Sequence, residues 1–403
     1  MLRQPTRHAR KRNFLQNMLL LLVVALMAAC GGTNNGGGGS PTAIQPIDLQ
    51  VLDAGGYLSP FAQAMIQAFV DTHHNLIKSV EYLPRIQAPN LPGKLQAEQA
   101  ANRVTTNFIL SGFDGVSSSI KDSLVEPLLP NHQSTFPNLA STYLPAAKSF
   151  NDLAQGQALV FAYTPSGPLF EYDPAKVPNP PSTIQALQAW IHANPHKFLY
   201  AEPANSGPGR TFLMGLPYLL GDSNPQDPTN GWSKTWAFLK DIKGSIDANP
   251  TGTGATMKDL ANGTSWIIAS TFGWDINPRV LQQVPAGDKT FMLQGTTLVS
   301  DAAFMMMPKG LDSNTQQVIL QLMAWMLGPQ AQAMAYGDGY FYPGPAIKNI
   351  TLSMAPAKSQ QELQQYGRTE YDSIISSTTI VNPLSADNLV TAFNKWNQDI
   401  GGS

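Results

Sequence analysis

The chain has 403 residues, a formal net charge of −2 and a single cysteine, which excludes an intrachain disulfide and a cysteine-based metal or redox site. Without the five basic residues near the amino end, 20 basic residues stand against 27 acidic ones, and the resulting net charge of −7 argues against a nucleic-acid-binding surface. A body of this length exceeds what one hydrophobic core usually serves, so the sequence predicts two lobes.

The amino end has the pattern of an export signal. Five basic residues precede an apolar run, residues 18–29, that is too short to span a bilayer. Its last residues and Cys30 (MAAC) resemble a bacterial lipobox, although Leu26 lies one position further upstream than the usual leucine of such a box. We therefore expect a signal peptide over residues 1–29 and lipidation of Cys30. The alternative is ordinary signal cleavage that leaves the Cys30 thiol unmodified.

A glycine-rich segment, residues 31–40 (GGTNNGGGGS), follows the cysteine and has the composition of a flexible coil. We expect residues 30–46 to be a lipid-anchored tether that lets the folded body stand away from the membrane. No later apolar stretch of the sequence approaches the length of a membrane span. The body is therefore expected on the extracytoplasmic face of the cell membrane, in contact with the bilayer through the anchor alone.

The rest of the sequence alternates strands with amphipathic helices. Residues 47–52 alternate apolar and polar side chains as a strand does, and residues 61–71 repeat apolar side chains with a helical period. This alternation predicts an α/β architecture with mostly parallel sheets. Further strands are predicted at 107–110, 157–163, 198–201, 266–270 and 298–307, and further helices at 94–106, from Ser118 to 124, and at 183–193, 232–241 and 315–327.

Two segments carry a resemblance to a known family. Residues 158–213 hold a strand that enters a hinge at Tyr163, a second strand with an aromatic end, a Pro-Pro lead-in to a helix with tryptophan, and a strand that feeds the loop NSGPGR. Residues 299–335 hold a strand with Asp301, a PKG turn and a helix that ends in LGPQAQ. In this order and spacing, the chain resembles the extracellular solute-binding proteins of bacterial ABC importers, whose lineage includes maltodextrin, polyamine, thiamine and ferric-ion receptors.

The resemblance implies a two-lobed periplasmic-binding-protein type II fold, in which each lobe is a mostly parallel sheet flanked by helices and hinge strands join the lobes. It places residues 47–162 and 296–345 in lobe one and residues 163–295 and 346–403 in lobe two. It implies that a small-molecule solute lies in the cleft and is delivered to the permease subunits of an ABC importer. We further expect a monomer that binds no nucleic acid and has no cofactor or metal.

Candidate ligand contacts lie on loops after predicted strands, where helix N-termini and backbone N–H groups point outward. The loop from Asn205 to Arg210 combines two glycines with a positive charge. The resemblance implies a further contact at Trp274, because members of that family place an aromatic residue against the ligand at this position. The predicted ligand-binding residues are Tyr57, Ser117, Ser118, Tyr163, Asn205, Ser206, Gly207, Arg210, Trp274, Asp275, Asp301 and Tyr342.

Each of these residues also has a purely structural alternative. The glycines before Tyr57 suit a simple turn, Ser118 suits a helix cap, and Tyr163 and Trp274 suit packing in a core. Asp301 on the returning strand suits a hinge hydrogen bond as well as it suits a ligand contact.

Aromatic and acidic side chains recur at the candidate loops, so the sequence favours a cationic or heteroaromatic organic solute, thiamine-like or polyamine-like. A carbohydrate is the next alternative, and the tyrosines near Tyr342 leave a ferric ion as another. The sequence contains no G-x-S-x-G elbow, no P-loop and no H-E-x-x-H motif, so no catalytic residue is predicted. An extracytoplasmic enzyme or a sensory binding protein on the same fold remain as alternatives from other classes.

Overall fold

The computed structural model describes residues 43–129 and 131–401. The predicted signal peptide, the lipidation site at Cys30 and the glycine-rich part of the tether lie outside the described residues. Among the helices described, none combines the length and apolarity that crossing a bilayer requires.

Eleven strands occur in the described residues, and they form on short apolar or alternating runs of the sequence. They are β1 (Ile47–Asp53), β2 (Ile77–Tyr82), β3 (Phe108–Ser111), β4 (Leu159–Gly167), β5 (Leu169–Tyr172), β6 (Phe198–Leu199), β7 (Ile267–Ser270), β8 (Lys289–Phe291), β9 (Leu298–Met306), β10 (Gly344–Pro345) and β11 (Ile380–Val381).

Fifteen α-helices occur in the same residues, and the longer ones turn an apolar face towards the sheets. They are α1 (Gln63–Thr72), α2 (Leu91–Ala100), α3 (Phe113–Lys121), α4 (Leu139–Thr142), α5 (Pro145–Leu153), α6 (Ile184–Ala193), α7 (Gly207–Leu220), α8 (Ser233–Ile242), α9 (Thr253–Ala261), α10 (Asn277–Val280), α11 (Ser313–Met326), α12 (Pro329–Ala333), α13 (Ala357–Tyr366), α14 (Tyr371–Ser377) and α15 (Ala386–Trp396).

The strands form two sheets. The larger has seven strands in the order β10-β4-β9-β3-β1-β2, with β11 paired to β9, and the smaller has four strands in the order β6-β7-β5-β8. In the larger sheet β1 pairs in parallel with both β2 and β3, whereas β9 runs antiparallel to β3 and β4. Two sheets with helices on their faces are the two-lobed α/β fold that the sequence predicts.

The smaller sheet is less parallel than the sequence pattern indicated. Only β6 and β7 pair in parallel, and β5 is antiparallel to both of its neighbours, β7 and β8. The reason is local, because β5 follows β4 after a single residue, Pro168, and so its direction is set by the chain that enters from the larger sheet.

Strands β4 and β9 connect the two sheets. Both have nine residues, both are buried along their whole length, and they pair with each other in the antiparallel sense from Leu159 and Met305 to Gly167 and Val299. Strand β4 leads into the smaller sheet and β9 returns from it. A pair of long strands that runs between two sheets is the element about which two lobes can rotate.

Two helices differ from their predicted bounds. Helix α2 ends at Ala100, before the predicted residue 106, because Asn102 adopts a left-handed backbone (φ 48°) of the kind that ends helices. Helix α3 begins at Phe113, before the predicted Ser118, because Gly112 takes the extended N-cap conformation and Asp114 suits the first turn.

The carboxyl-terminal helix α15 contacts both sides of the molecule. It packs against α3, which follows the larger sheet. At its other end, Trp396 Nε1 donates to the Tyr200 hydroxyl over 3.2 Å, and Asp399 lies 3.2 Å from Lys240 Nζ. Tyr200 follows β6 of the smaller sheet, so α15 spans the two lobes.

Gln332 holds three backbone segments together beneath the hinge. Its side chain is fully buried, and Nε2 donates to the carbonyl oxygens of Phe161 and Met326, each over 2.9 Å. Its Oε1 accepts from the Ala346 N–H over 2.9 Å. One amide side chain therefore satisfies a carbonyl of β4, the end of α11 and the chain after β10.

We expect Gln332→Ala to lower the free energy of unfolding by roughly 2–3 kcal/mol, because it leaves buried backbone groups without partners. Gln330→Ala is the matched control, since Gln330 lies on the same helix with an exposed side chain, and its effect should stay within about 0.5 kcal/mol. Urea unfolding followed by circular dichroism measures both. Equal effects of the two variants would show that this network carries no stability.

Candidate functional site

A cleft lies where the loops after β1, β2 and β3 face the amino ends of α7 and α9. It contains two cavities that share Gly55, Arg85, Trp274, Tyr340 and the turn at residues 205–207. The inner cavity has a volume of about 40 Å³ and reaches Asp114, Arg210 and Asp301. The outer cavity has a volume of about 490 Å³ and extends over residues 251–255.

The inner cavity is built around a buried ion triad of Asp114, Arg210 and Asp301. Arg210 Nη1 lies 2.8 Å from Asp114 Oδ2, and Arg210 Nη2 lies 2.5 Å from Asp301 Oδ2. Helix α7 supplies the arginine, the first turn of α3 supplies Asp114, and β9 supplies Asp301. The triad therefore joins both lobes and a hinge strand at one point.

The triad carries one positive and two negative groups in a place with little water. The Arg210 side chain is 4% exposed, and the Asp114 and Asp301 side chains are 11% and 6% exposed. Burial raises the pKa of Asp301, and the guanidinium of Arg210 opposes that shift only in part. Burial acts to lower the pKa of Arg210, but the Asp301 and Asp114 carboxylates outweigh it and raise that pKa overall. The charge of Arg210 is thus already compensated within the protein.

Aromatic side chains form one wall of the cleft. The ring centroids of Trp274 and Tyr340 are 5.1 Å apart, and Tyr57 meets Phe341 edge-on at 5.7 Å. Trp274 is half-buried and lines both cavities. Gly273 permits this packing, because it has φ 102° and a Cβ there would lie 2.2 Å from the Tyr340 carbonyl oxygen. The ring face of Trp274 can stack on a flat or cationic group.

The outer cavity is polar and is framed by two helix N-termini. Ser206 caps α7 by accepting from the Gly209 N–H over 3.1 Å, and its hydroxyl lies 2.7 Å from that of Thr253 in α9. Asn205 Nδ2 donates to the Thr251 carbonyl oxygen over 2.6 Å. These contacts hold the two helix starts side by side, so their backbone N–H groups face the same cavity.

Seven of the predicted ligand-binding residues lie together on the two cavities. They come from four separate parts of the chain. They are Tyr57, Asn205, Ser206, Gly207, Arg210, Trp274 and Asp301.

The structure places the other predicted residues away from the cavity walls. Ser117 and Ser118 lie within α3, where they donate to the carbonyl oxygens of Phe113 and Asp114. The predicted contact loop at this point is therefore helix, because α3 begins earlier than expected. Tyr163 is 6% exposed and packs against Phe150 with a centroid distance of 6.3 Å.

Asp275 and Tyr342 have partners inside lobe two. The Asp275 side chain is fully buried; its Oδ2 accepts from Arg368 Nε over 2.6 Å and lies 3.6 Å from Arg279 Nη2. The Tyr342 hydroxyl donates to Asp372 Oδ1 over 2.6 Å. The first interaction attaches the segment before α14 to the chain after β7 of the smaller sheet, and the second attaches α14 to the chain before β10 of the larger sheet. Neither residue lines the cavities.

The residues of the site that were not predicted from the sequence include Arg85, Asp114, Tyr340 and residues 251–255. The first two had a usable signal, because Arg85 follows β2 and Asp114 follows β3 as Gly55 follows β1. The carboxyl ends of parallel neighbouring strands meet at one edge of a sheet. Tyr340 and residues 251–255 follow helices or irregular segments, for which no such rule applies.

Comparison with known proteins identifies the family. The model of the bacterial extracellular solute-binding protein family matches residues 64–364, which is more than half of the chain. The chain therefore belongs to this family, whose members bind solutes outside the cytoplasm. A search of curated proteins found no match.

Solved structures with the same fold cover most of the chain. A ferric binding protein from Campylobacter jejuni aligns with a TM-score of 0.60 at 11% identity, covering 88% of this chain and 99% of that one. A putative spermidine/putrescine ABC transporter protein from Listeria monocytogenes gives 0.59 at 14% identity, covering 88% and 98%. A periplasmic binding protein from Actinobacillus pleuropneumoniae with fructose-6-phosphate bound gives 0.61 at 13% identity, covering 88% and 99%. At these identities the likeness shows the two-lobed fold.

We expect Arg210→Ala to destabilise the protein by roughly 3–5 kcal/mol at pH 7, because two buried carboxylates lose their counter-charge. The deficit in unfolding free energy should shrink as the pH is lowered from 7 to 5, because burial raises the pKa of the Asp301 carboxyl group and favours its protonation. Arg103→Ala, at an exposed arginine of the same lobe as Asp114, is the control. Urea unfolding at the two pH values measures the effect. A loss of unfolding free energy no larger than that of the control would show that Arg210 does not stabilise the two carboxylates.

A pH dependence follows from Asp288, which adjoins the Asp275 cluster. Burial raises the pKa of Asp288 to about 7, and the neighbouring Asp173 carboxylate acts in the same direction. Because this value lies above the unfolded one, about 3.9, its contribution to stability is full in acid and is lost as the pH rises through 7. Asp288→Asn should therefore reduce the fall in stability between pH 5 and pH 8 by about 1–2 kcal/mol. Chemical unfolding of wild type, Asp288→Asn and the exposed control Asp71→Asn checks this, and parallel pH profiles of all three would refute it.

Proposed function

We propose that the protein is an extracytoplasmic receptor that captures a small organic solute in the cleft between its lobes and delivers it to the permease of an ABC importer. The matched family and the two-lobed fold support the receptor role. In this proposal the protein acts as a monomer, Cys30 carries the lipid anchor, and lobe one comprises residues 47–162 and 296–345. Lobe two comprises residues 163–295 and 346–403, with α15 in contact with both lobes.

The solute in this proposal is cationic or heteroaromatic, and one observation carries that choice. Trp274 presents a ring to both cavities beside a triad in which two carboxylates surround one guanidinium. An aromatic face next to excess negative charge attracts a cation or an electron-poor ring. The outer cavity, at about 490 Å³, has the size typical of small-molecule sites.

Capture uses the connection of the triad to both lobes. Asp114 belongs to the first lobe, Arg210 to the second and Asp301 to a hinge strand. A group that binds beside them therefore affects how the two lobes are positioned relative to each other. A solute that contacts both lobes binds the closed arrangement more tightly than the open one, and it therefore stabilises the closed arrangement. Permease subunits would then recognise the closed form.

A carbohydrate receptor is the second candidate, because the outer cavity is lined by the amide of Asn205 and the hydroxyls of Ser206 and Thr253 beside the Trp274 ring. Sugar faces stack on such rings, and their hydroxyls bond to such groups. Of the clustered tyrosines considered for ferric ion, Tyr342 donates to Asp372 outside the cavities, whereas Tyr340 lines both of them.

A thermal-shift screen tests the receptor role and the solute class together. The panel holds thiamine, putrescine, spermidine, amino acids, maltose, glucose 6-phosphate and ferric citrate. A cationic or heteroaromatic compound should stabilise the protein, by about 2.7 kcal/mol at one hundred times its dissociation constant. Trp274→Ala should weaken that compound by roughly tenfold or more.

Trp266→Ala is the matched control, because Trp266 is also half-buried in lobe two but lies outside both cavities, beneath Lys197 Nζ at 5.3 Å. It should leave affinity unchanged. A screen without any stabilising compound would contradict the receptor role. A stabilising sugar would favour the second candidate, and equal effects of the two tryptophan variants would remove Trp274 from the site.

A further inference from the structure

Arg85 stands at the junction of the two cavities and is not used by the function proposed above. Its side chain is exposed, it lines both cavities, and none of the ion pairs among the described residues includes it. The guanidinium rests against Gly56, since a Cβ built there would lie 2.9 Å from Arg85 Nη2. Trp274 and Tyr340 line the same two cavities, which places Arg85 near the aromatic wall.

Asp53, the last residue of β1, is an acidic residue close in sequence to Gly56, and its carboxylate is already hydrogen-bonded. Asp53 Oδ1 accepts from the N–H groups of Gly55 and Gly56 over 2.9 and 2.7 Å, and Oδ2 accepts from the Leu58 N–H over 3.1 Å. Three backbone donors on one buried carboxylate hold the turn after β1 in place. The loop after β2 that carries Arg85 is joined to this turn, because the Ile86 N–H donates to the Asp53 carbonyl oxygen over 3.3 Å. Arg85 therefore lies beside a fixed turn with its charge available to a ligand.

Charge is separated along the cleft. The part of the chain that the structure describes places no carboxylate on the outer cavity, which Arg85 shares with the first turns of α7 and α9. The inner cavity, in contrast, has Asp114 and Asp301 in contact with Arg210 in its wall, and Arg85 lies where it meets the outer cavity. Each of these two carboxylates has lone pairs beyond its bonds to Arg210 and to one backbone N–H.

The two volumes match groups of different size. About 40 Å³ is close to the share of one water molecule, so the inner cavity accommodates one group as small as an ammonium. About 490 Å³ accommodates the body of a small solute and a second polar group. The inner end therefore suits a single positive group, and the outer end suits the remainder of the molecule.

From this arrangement we propose that the solute is charge-separated: a cationic group lies at Asp114 and Asp301, and an anionic group, a carboxylate or a phosphate, is bound by Arg85. The inference rests on the proposed receptor function and narrows its solute class from cations to molecules with both charges. Arg85 is then the residue that distinguishes such a solute from a simple amine, since a guanidinium binds these anions through paired N–H donors.

Two matched sets of probes test the proposal on the full chain purified in detergent. One set is 4-(aminomethyl)benzoate, benzylamine and benzoate; the other is 4-aminobutyrate, butylamine and butyrate. Within a set, the zwitterion should bind at least about tenfold more tightly than either compound with one charge. Arg85→Gln should lower the affinity for the zwitterion about tenfold and leave that for the amine unchanged, as measured by calorimetry.

Arg85→Lys, which keeps the charge, should retain most of the affinity, and Arg103→Gln, at an exposed arginine outside the cleft, should have no effect. Amines that bind as tightly as zwitterions, acids that bind best, or an Arg85→Gln variant that loses nothing would each overturn the inference. Probes that all fail while thiamine or a polyamine binds in the wider screen would overturn it and leave the receptor function standing. Failure of every compound in both experiments would contradict both proposals.

Discussion

The contact of Arg210 with Asp114 and Asp301 is the constraint on which the site depends. A guanidinium that is 4% exposed has no access to bulk water, so its charge must be compensated by neighbours. Its two partners come from a helix of one lobe and from a hinge strand, and the arginine comes from the other lobe. The same three side chains therefore link the two lobes and form part of the wall of the inner cavity.

The rest of the fold serves to bring these three residues to one place. The hinge strands β4 and β9 pair along their length and carry Asp301 to the centre of the molecule. Strand β3 ends just before α3, whose first turn holds Asp114, while Ser206 starts α7 so that Arg210 projects from its first turn. Helix α15 adds a second connection, since it touches α3 and reaches Tyr200 beyond it. Opening of the cleft must strain both connections.

The sequence predicts those parts of the structure that depend on neighbouring residues. The strand at Ile47, the helix over residues 183–193 and the helix that opens at the Asn205 loop follow from local sequence patterns, and they are confirmed by β1, α6 and the start of α7. The partners of Arg210 are 96 and 91 residues away in sequence, so no local pattern shows that its charge is taken. For the same reason Asp275 could be recognised as acidic but not as a partner of Arg368, 93 residues later.

The distance between the lobes tests the central claim most directly. Spin labels on Lys121→Cys in α3 and Lys258→Cys in α9, in a chain with Cys30→Ser, report that distance by double electron–electron resonance; both lysines are exposed, and Cys30 is the sole native cysteine. If the triad holds the lobes together, Arg210→Ala shifts the distance distribution to longer and broader values at pH 7, whereas Arg103→Ala does not. An unchanged distribution in Arg210→Ala would show that the lobes are held by other contacts.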